Sequence, residues 1–317
     1  MRSVLLALAA ATALSVPAQA QTVKVAVTAI VEHPALDAVR DGVKDALEAA
    51  GYKAGANLVF TYKSAQGNPA TAAQIARQFA GDSPNLIVPI STPSAQAVAA
   101  ATRDIPIVFS AISDPVGAQL IKSMEKPGGN ITGISDMSPV AEHVALIKEI
   151  LPNVKTIGYL YNSGEANSVS LLAVLKVEAA KAGLKIVESA ATKTAEVQGA
   201  ARALIGKADA IYVPTDNTII SALESAVGVA VEAKLPLFTA DTDSVKRGSI
   251  AALGFNYRDV GKQTGEVVVR ILKGEKPGDI PAKVAAGTDL AINKTFAAKM
   301  GVTLPESVVK RATQVVE

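Results

Sequence analysis

Three hydroxyl-bearing residues, Ser91, Thr92 and Ser94, crowd around Pro93 directly after the apolar run LIVPI at 86–90. Such a run reads as a buried strand, and a Pro just after a polar residue reads as a helix start. The first N–H groups of a helix have no partner within it, and together with the helix dipole they favour an anion. A carboxylate can be held there without any Arg. Capping needs only one Ser or Thr; three exceed that need and point to ligand contact by Ser91 or Thr92. In the second half of the chain, acidic residues follow strand-like runs: Asp241 after LPLFTA at 235–240, Asp216 after IYVP at 211–214, and Glu165 beyond the run at 156–161. A carboxylate in such a turn can accept charge-assisted hydrogen bonds from an ammonium group. Asp241 has no evident partner in the sequence and is the first candidate. Asp216 and Glu165 compete with it, and Asp216 or Asn217 can equally cap the helix that follows. An anion site facing a cation site suits an amino acid.

Other chemistries find little footing. Glu32 and His33 close the first strand ahead of Pro34, where a solvated or capping His is commoner than a catalytic one. His143 stands alone on a helix. Two isolated histidines and no Cys give no basis for a zinc site. There is no G-x-S-x-G elbow, no P-loop and no G-x-G-x-x-G after the first strand. No catalytic residue, metal or cofactor is therefore expected. Asp114, in an Asp-Pro step, reads as a turn. Lys and Arg number 31 against 29 Asp and Glu, and 4% of residues are aromatic with no Trp. That balance lacks the basic footprint and the stacking platforms that nucleic-acid binding needs.

The positioning elements follow from the hydropathy pattern. Arg2, the apolar stretch 4–16 and Ala18-Gln19-Ala20 form a secretory signal peptide over 1–20, cleaved after Ala20. No Cys follows the cut, so a soluble protein of the periplasm is expected rather than one on a lipid anchor. Beyond it, apolar runs at 23–28, 58–62, 86–90, 105–109 and 131–135 alternate with helical stretches at 34–50, 69–80, 93–102 and 115–124. After a helix at 140–151 the pattern restarts. Strands are expected at 156–161, 184–188, 210–214, 235–239 and 250–255, with helices at 166–182, 195–207, 218–233 and 257–273. Alternation of this kind predicts an α/β chain with doubly wound parallel sheets. NLIVPIST at 85–92 has a counterpart in DAIYVPTD at 209–216, and IPIVFS at 105–110 has one in LPLFTA at 235–240. Two like-built lobes account for the repeated order. In such sheets ligands sit outside the carboxyl ends of the strands, so function belongs to the turns at 28–33, 64–68, 91–94, 110–114, 162–168, 215–217 and 239–243.

The same residues carry a family resemblance. The segments IVEHPALD at 30–37, SAISDP at 110–115, PGGNITGIS at 127–135, IGYLYNSGEANS at 157–168, YVPTDNT at 212–218 and GSIAALGFNY at 248–257 lead into a helix with Gly261 and Thr264. In these the chain resembles the substrate-binding proteins of ABC transporters with the type I periplasmic fold, and more narrowly the subgroup that includes tryptophan- and tyrosine-binding proteins. The resemblance covers nearly the whole mature chain. It implies two lobes joined by three crossovers, with lobe 1 at 22–135 plus 257–283 and lobe 2 at 136–256 plus 284–317. It implies that the Ser91/Thr92 turn, with Ser113, holds the ligand carboxylate, and that Asp241 marks the amino-group site. Asn162, Glu165, Asn167, Asp216 and Asn217 would line the wall of lobe 2, and Tyr159 or Tyr161 would cover an apolar side chain. The implied partners are an amino acid, aromatic or branched, and an ABC permease in the inner membrane, with the binding protein itself a monomer.

The expected mechanism is hinge closure, one lobe swinging over a solute already held by the other. A sugar, a nucleoside or another small carboxylate is the rival ligand. The scarcity of Arg in the turns and the lack of Trp count against a sugar or nucleoside. A hydrolase, or a sensor subunit presenting its solute to a receptor, are rival roles on the same scaffold.

Overall fold

The structure is a computed structural model and describes residues 22–317; the expected signal peptide and its cleavage site lie outside the described residues. Strands β1 (Val23–Ala29), β2 (Leu58–Ser64), β3 (Leu86–Ile90), β4 (Ile107–Ser110) and β5 (Ile131–Ser135) alternate with helices α1 (Pro34–Ala49), α2 (Pro69–Asp82) and α3 (Thr92–Ala101). Helix α4 (Val140–Ile150) leads into β6 (Thr156–Tyr161), α5 (Ala166–Lys181), β7 (Lys185–Ala190), α6 (Val197–Arg202), β8 (Ala210–Val213), α7 (Asn217–Ser221), α8 (Leu223–Ala233), β9 (Leu237–Thr239) and β10 (Ala251–Gly254). The chain ends with α9 (Tyr257–Leu272), β11 (Lys283–Val284), β12 (Asp289–Asn293), α10 (Lys294–Lys299), α11 (Glu306–Arg311) and β13 (Gln314–Val316).

Two sheets result. One has the order β11-β5-β4-β3-β1-β2 and the other β13-β12-β10-β9-β8-β6-β7. The first is parallel throughout. The second is parallel from β7 to β10, but β12 runs antiparallel to β10 and carries β13 alongside it. Central strands such as β3 are buried at every position, whereas the edge strand β7 is mostly exposed or half-buried. That contrast follows from helices covering both faces of the inner strands only. Each sheet has its own apolar core, one holding Val27, Ile87 and Phe109, the other Leu160, Ile211 and Leu237.

The chain passes between the two bodies three times: after β5, after β10 and after β11. The expected boundary at 283 falls short, because Val284 pairs with Ser135 in the first sheet and Ala285 donates its N–H to the Ser135 carbonyl at 2.8 Å. Helix starts follow local chemistry. Asn68, Asn256 and Asn293 cap α2, α9 and α10 through their side chains, and Pro34 and Pro69 open α1 and α2.

Two expected helices differ. The stretch 115–124 forms a succession of turns: Asp114 takes the Gly117 N–H at 2.7 Å, and Gln119 adopts φ 60°, which no helix accommodates. The helix expected at 218–233 is divided at Ala222, whose φ of −120° and ψ of 28° part α7 from α8.

Helix α9 joins the first body by lying across α1 at close quarters. A Cβ on Gly261 would stand 2.1 Å from the Val39 carbonyl oxygen, and one on Gly42 2.0 Å from that of Arg258. Thr264 then accepts a hydrogen bond from Ser110 at 2.6 Å, tying α9 to the end of β4, while its own hydroxyl donates to Val260. Because the obstructing atoms belong to the backbone and cannot rotate aside, Gly261→Ala should cost about 2–3 kcal/mol, at the upper end for overpacking. Urea unfolding checks this; a midpoint within error of the wild type would contradict it.

Candidate functional site

Parallel winding puts the carboxyl ends of the strands, and the helix starts that follow them, on one edge of each sheet. These two edges face each other across a cavity lined by residues of both. Ser91, Thr92 and Ser113 line it from the first body, and Asn167, Asp216, Asn217 and Asp241 from the second. The turns at Ser91 and Asp241, far apart in sequence, thus share one enclosed space.

On the first side the decisive feature is a helix start left open. Ser91 precedes α3, yet its side chain makes no capping bond. Its Oγ and the Oγ1 of Thr92 are buried and have no hydrogen-bond partner among the described residues. Buried polar atoms are seldom left so. Ser91 also has φ 72° and ψ 155°, a region used almost only by Gly, and its N–H is committed to the Ser110 carbonyl at 3.0 Å. Ala111, at the end of β4, has φ 55° and also lines the cavity. Strained backbone therefore occurs on both adjoining strand ends.

On the second side the carboxyls are held by neutral donors. Asp216 caps α7 through the Ile219 N–H at 2.8 Å and takes the Asn162 N–H and the Ser168 hydroxyl, both at 2.6 Å. It both caps a helix and lines the cavity. Asp241 accepts the N–H and the hydroxyl of Ser244 at 2.9 and 2.7 Å. Asn162 and Glu165 do not line the cavity, contrary to expectation. They stand behind it: Asn162 donates its side-chain amide to Thr218 at 2.8 Å, and Glu165 takes the N–H groups of Asn217 and Thr218, each at 3.0 Å. Their polar atoms are spent on fixing the residues in front. Asn167 donates to the Thr215 carbonyl at 2.8 Å, leaving its Oδ1 buried without a partner.

Two polar lining residues are not among the expected site residues. Asp136 lies on the first crossover and Tyr257 on the second. The Tyr257 hydroxyl donates to Asp136 at 2.9 Å, and Ser113 donates to the other oxygen at 3.1 Å. Ser113 in turn is 3.0 Å from the Thr215 hydroxyl of the opposite body. A hydrogen-bonded chain thus runs through the first two crossovers and across the gap. Tyr159 and Tyr161 do not cover the cavity: their hydroxyls donate to Ser168 and Glu188 at 2.7 and 2.9 Å, within or beside the second core. His143 is also a core residue, bonded to Tyr212 and to the Leu253 carbonyl.

The cavity is acidic. Among the described residues no Lys or Arg lines it, and all three lining carboxyls are 1–2% exposed. Burial pushes Asp241 up to about 6, with the Ser244 hydrogen bonds opposing the rise. Burial also raises Asp136 against the bonds from Tyr257 and Ser113. Asp216 is raised by burial and by the nearby charge of Glu165. Such a site is set to gain from a cation. Ala35, Leu36, Ala111 and Ile220 are the apolar part of the lining.

Two α/β bodies meeting over one buried polar cavity define a two-lobed solute-binding protein. The chain belongs to the family of ABC transporter substrate binding proteins, which matches residues 24–316. It is the non-enzymatic, extracytoplasmic solute-binding component of such a transporter. It is 40% identical over 270 residues to a tyrosine-binding protein of Clostridioides difficile, covering 85% of this chain and 78% of that one. Among solved structures, it is similar to an ABC domain from Streptococcus pneumoniae in complex with L-Trp, with a TM-score of 0.90 and 40% identity over 93% of this chain and all of that one. A ligand-free, open substrate-binding protein of Clostridium difficile gives a TM-score of 0.71 at 41% identity, over 93% of this chain and 99% of that one.

The strain at Ser91 makes a measurable claim. With its hydroxyl unpartnered, Ser91→Gly relieves the disfavoured backbone without losing a bond. It should stabilise the ligand-free protein by up to about 1 kcal/mol, the relief outweighing the extra entropy of Gly. Denaturant titration that finds the variant less stable would refute the strain.

Proposed function

We propose that the solute is an L-amino acid with an aromatic side chain, captured between the lobes and passed to an ABC permease in the membrane. The observation that carries this reading is that the unpartnered hydroxyls of Ser91 and Thr92, at the open start of α3, share a cavity with the carboxyl of Asp241. The α-carboxylate takes the hydroxyls and the free N–H groups at the helix start. The ammonium takes Asp241, with Asp136 and Asp216 near enough to share its charge. The side chain lies against the apolar wall. The tyrosine-binding relative and the L-Trp complex support an aromatic one.

In this reading closure is a hinge motion. The bodies that move are 22–135 with 257–285, and 136–256 with 286–317, and the crossovers bearing Asp136 and Tyr257 flex between them. Excluding water as the gap shuts strengthens the charged hydrogen bonds inside. The binding protein works as a monomer in the periplasm, after cleavage of the leader at Ala20.

Calorimetry with L-tryptophan and L-tyrosine tests the reading. Asp241→Ala should weaken binding by tenfold or more, corresponding to about 1.5–3 kcal/mol for a hydrogen bond to a charged group. Unchanged affinity would remove Asp241 from the site, and no heat from either amino acid would remove the ligand class. The pH dependence has a definite sign. An ammonium needs ionised Asp241, whose pKa lies at about 6. Affinity should fall as the pH drops through about 6 and protons compete for Asp241; an affinity that rises on acidification would contradict the assignment.

A further inference from the structure

His33 is a cavity-lining residue whose chemistry the ammonium and carboxylate sites leave unused. It follows β1 and stands at the cap position of α1, but its side chain makes no capping bond. Its ring Nδ1 is buried and has no hydrogen-bond partner among the described residues. Burial and the positive charge of Arg247, from the opposite lobe, lower its pKa to about 3. The imidazole is therefore neutral at physiological pH, with one ring nitrogen free to accept a hydrogen bond. Two and three residues further on, Ala35 and Leu36 belong to the apolar wall. The imidazole is thus a polar group next in the chain to part of the surface that, in the amino-acid reading above, takes the ligand's side chain.

We propose that His33 is a specificity-determining residue, its Nδ1 hydrogen-bonding the polar edge of the ligand's ring, the indole N–H or the phenol O–H. This rests on the aromatic amino-acid reading and adds to it a preference among aromatic side chains. A ring without a donor leaves the buried nitrogen unpaired, and leaving a buried acceptor unsatisfied is more costly than the bond itself is favourable. Size and stacking do not make this distinction, because an isostere of the same shape fills the wall equally well.

The test compares ligands matched in shape. L-Tryptophan is set against benzothienylalanine, in which sulfur replaces the indole N–H, and L-tyrosine against L-phenylalanine. For whichever of tryptophan and tyrosine binds more tightly, the wild-type protein should favour the donor-bearing member of the pair by about tenfold or more. His33→Leu should abolish that preference by weakening the donor-bearing ligand, while the isostere keeps its affinity within about twofold. The retained affinity for the isostere also reports that the variant's cavity is intact. A second readout needs no variant: the Nδ1 resonance of His33 in nitrogen NMR should move on saturation with the donor-bearing ligand and not with its isostere. Equal affinities within the pair for the wild type, an undiminished preference in His33→Leu, or identical Nδ1 shifts would each overturn the role of His33 and leave the amino-acid reading standing. Absence of binding by all four amino acids would overturn that reading and this inference together.

Discussion

Three carboxyl groups buried without a cation set the terms for everything around them. Removing a carboxylate from water costs several kcal/mol unless charge or hydrogen bonds replace the solvent. Among the described residues, Asp136, Asp216 and Asp241 take their hydrogen bonds from hydroxyls and N–H groups, and the charge of Arg247 adds a lesser pull at Asp241. Each of those donors needs its own support. Asn162 and Glu165 hold the start of α7 in place, Ser244 is presented by the turn after Asp241, and Tyr257 is brought in by a crossover. Much of the polar structure at the sheet edges thus keeps negative potential turned inward, where a positively charged solute is worth most.

That arrangement ties binding to the relative position of the lobes. The floor of the cavity consists of the crossovers themselves, through Asp136 and Tyr257, and Ser113 and Thr215 meet over the gap at 3.0 Å. A solute touching both sides therefore touches the parts that move. Its differential contact with the closed state is what shifts the equilibrium toward closure.

Much of this was legible in the sequence, and the omissions have physical causes. Fully apolar runs and their polar turns identified the central strands and five of the lining residues outright, because strand ends and helix starts are local features. Asp136 follows β5 and Tyr257 opens α9, but they reach the cavity only because the chain returns between the lobes at those points, which no local pattern encodes. Asn162 and Glu165 sit in the right turn, but which side of a turn faces the ligand depends on how α7 packs against it. Tyr159 and Tyr161 belong to one strand, where burial on both faces leaves alternation uninformative. The stretch 115–124 has helical periodicity, yet the Asp114 cap closes a single turn and the chain then departs at Gln119. The strands β11, β12 and β13 are too short or too polar at their ends to stand out.

The interleaving of the chain has a consequence for how the molecule is made. The first body is covered by α9 and edged by β11, both of which come after nearly all of the second body, and the second is finished by β12 and β13 at the far end. During synthesis neither half has all of its elements until the last segments emerge. Folding waits for contacts between distant stretches, which is slow. A polypeptide that stays open until its last segment arrives is one that can still be threaded through a membrane in extended form.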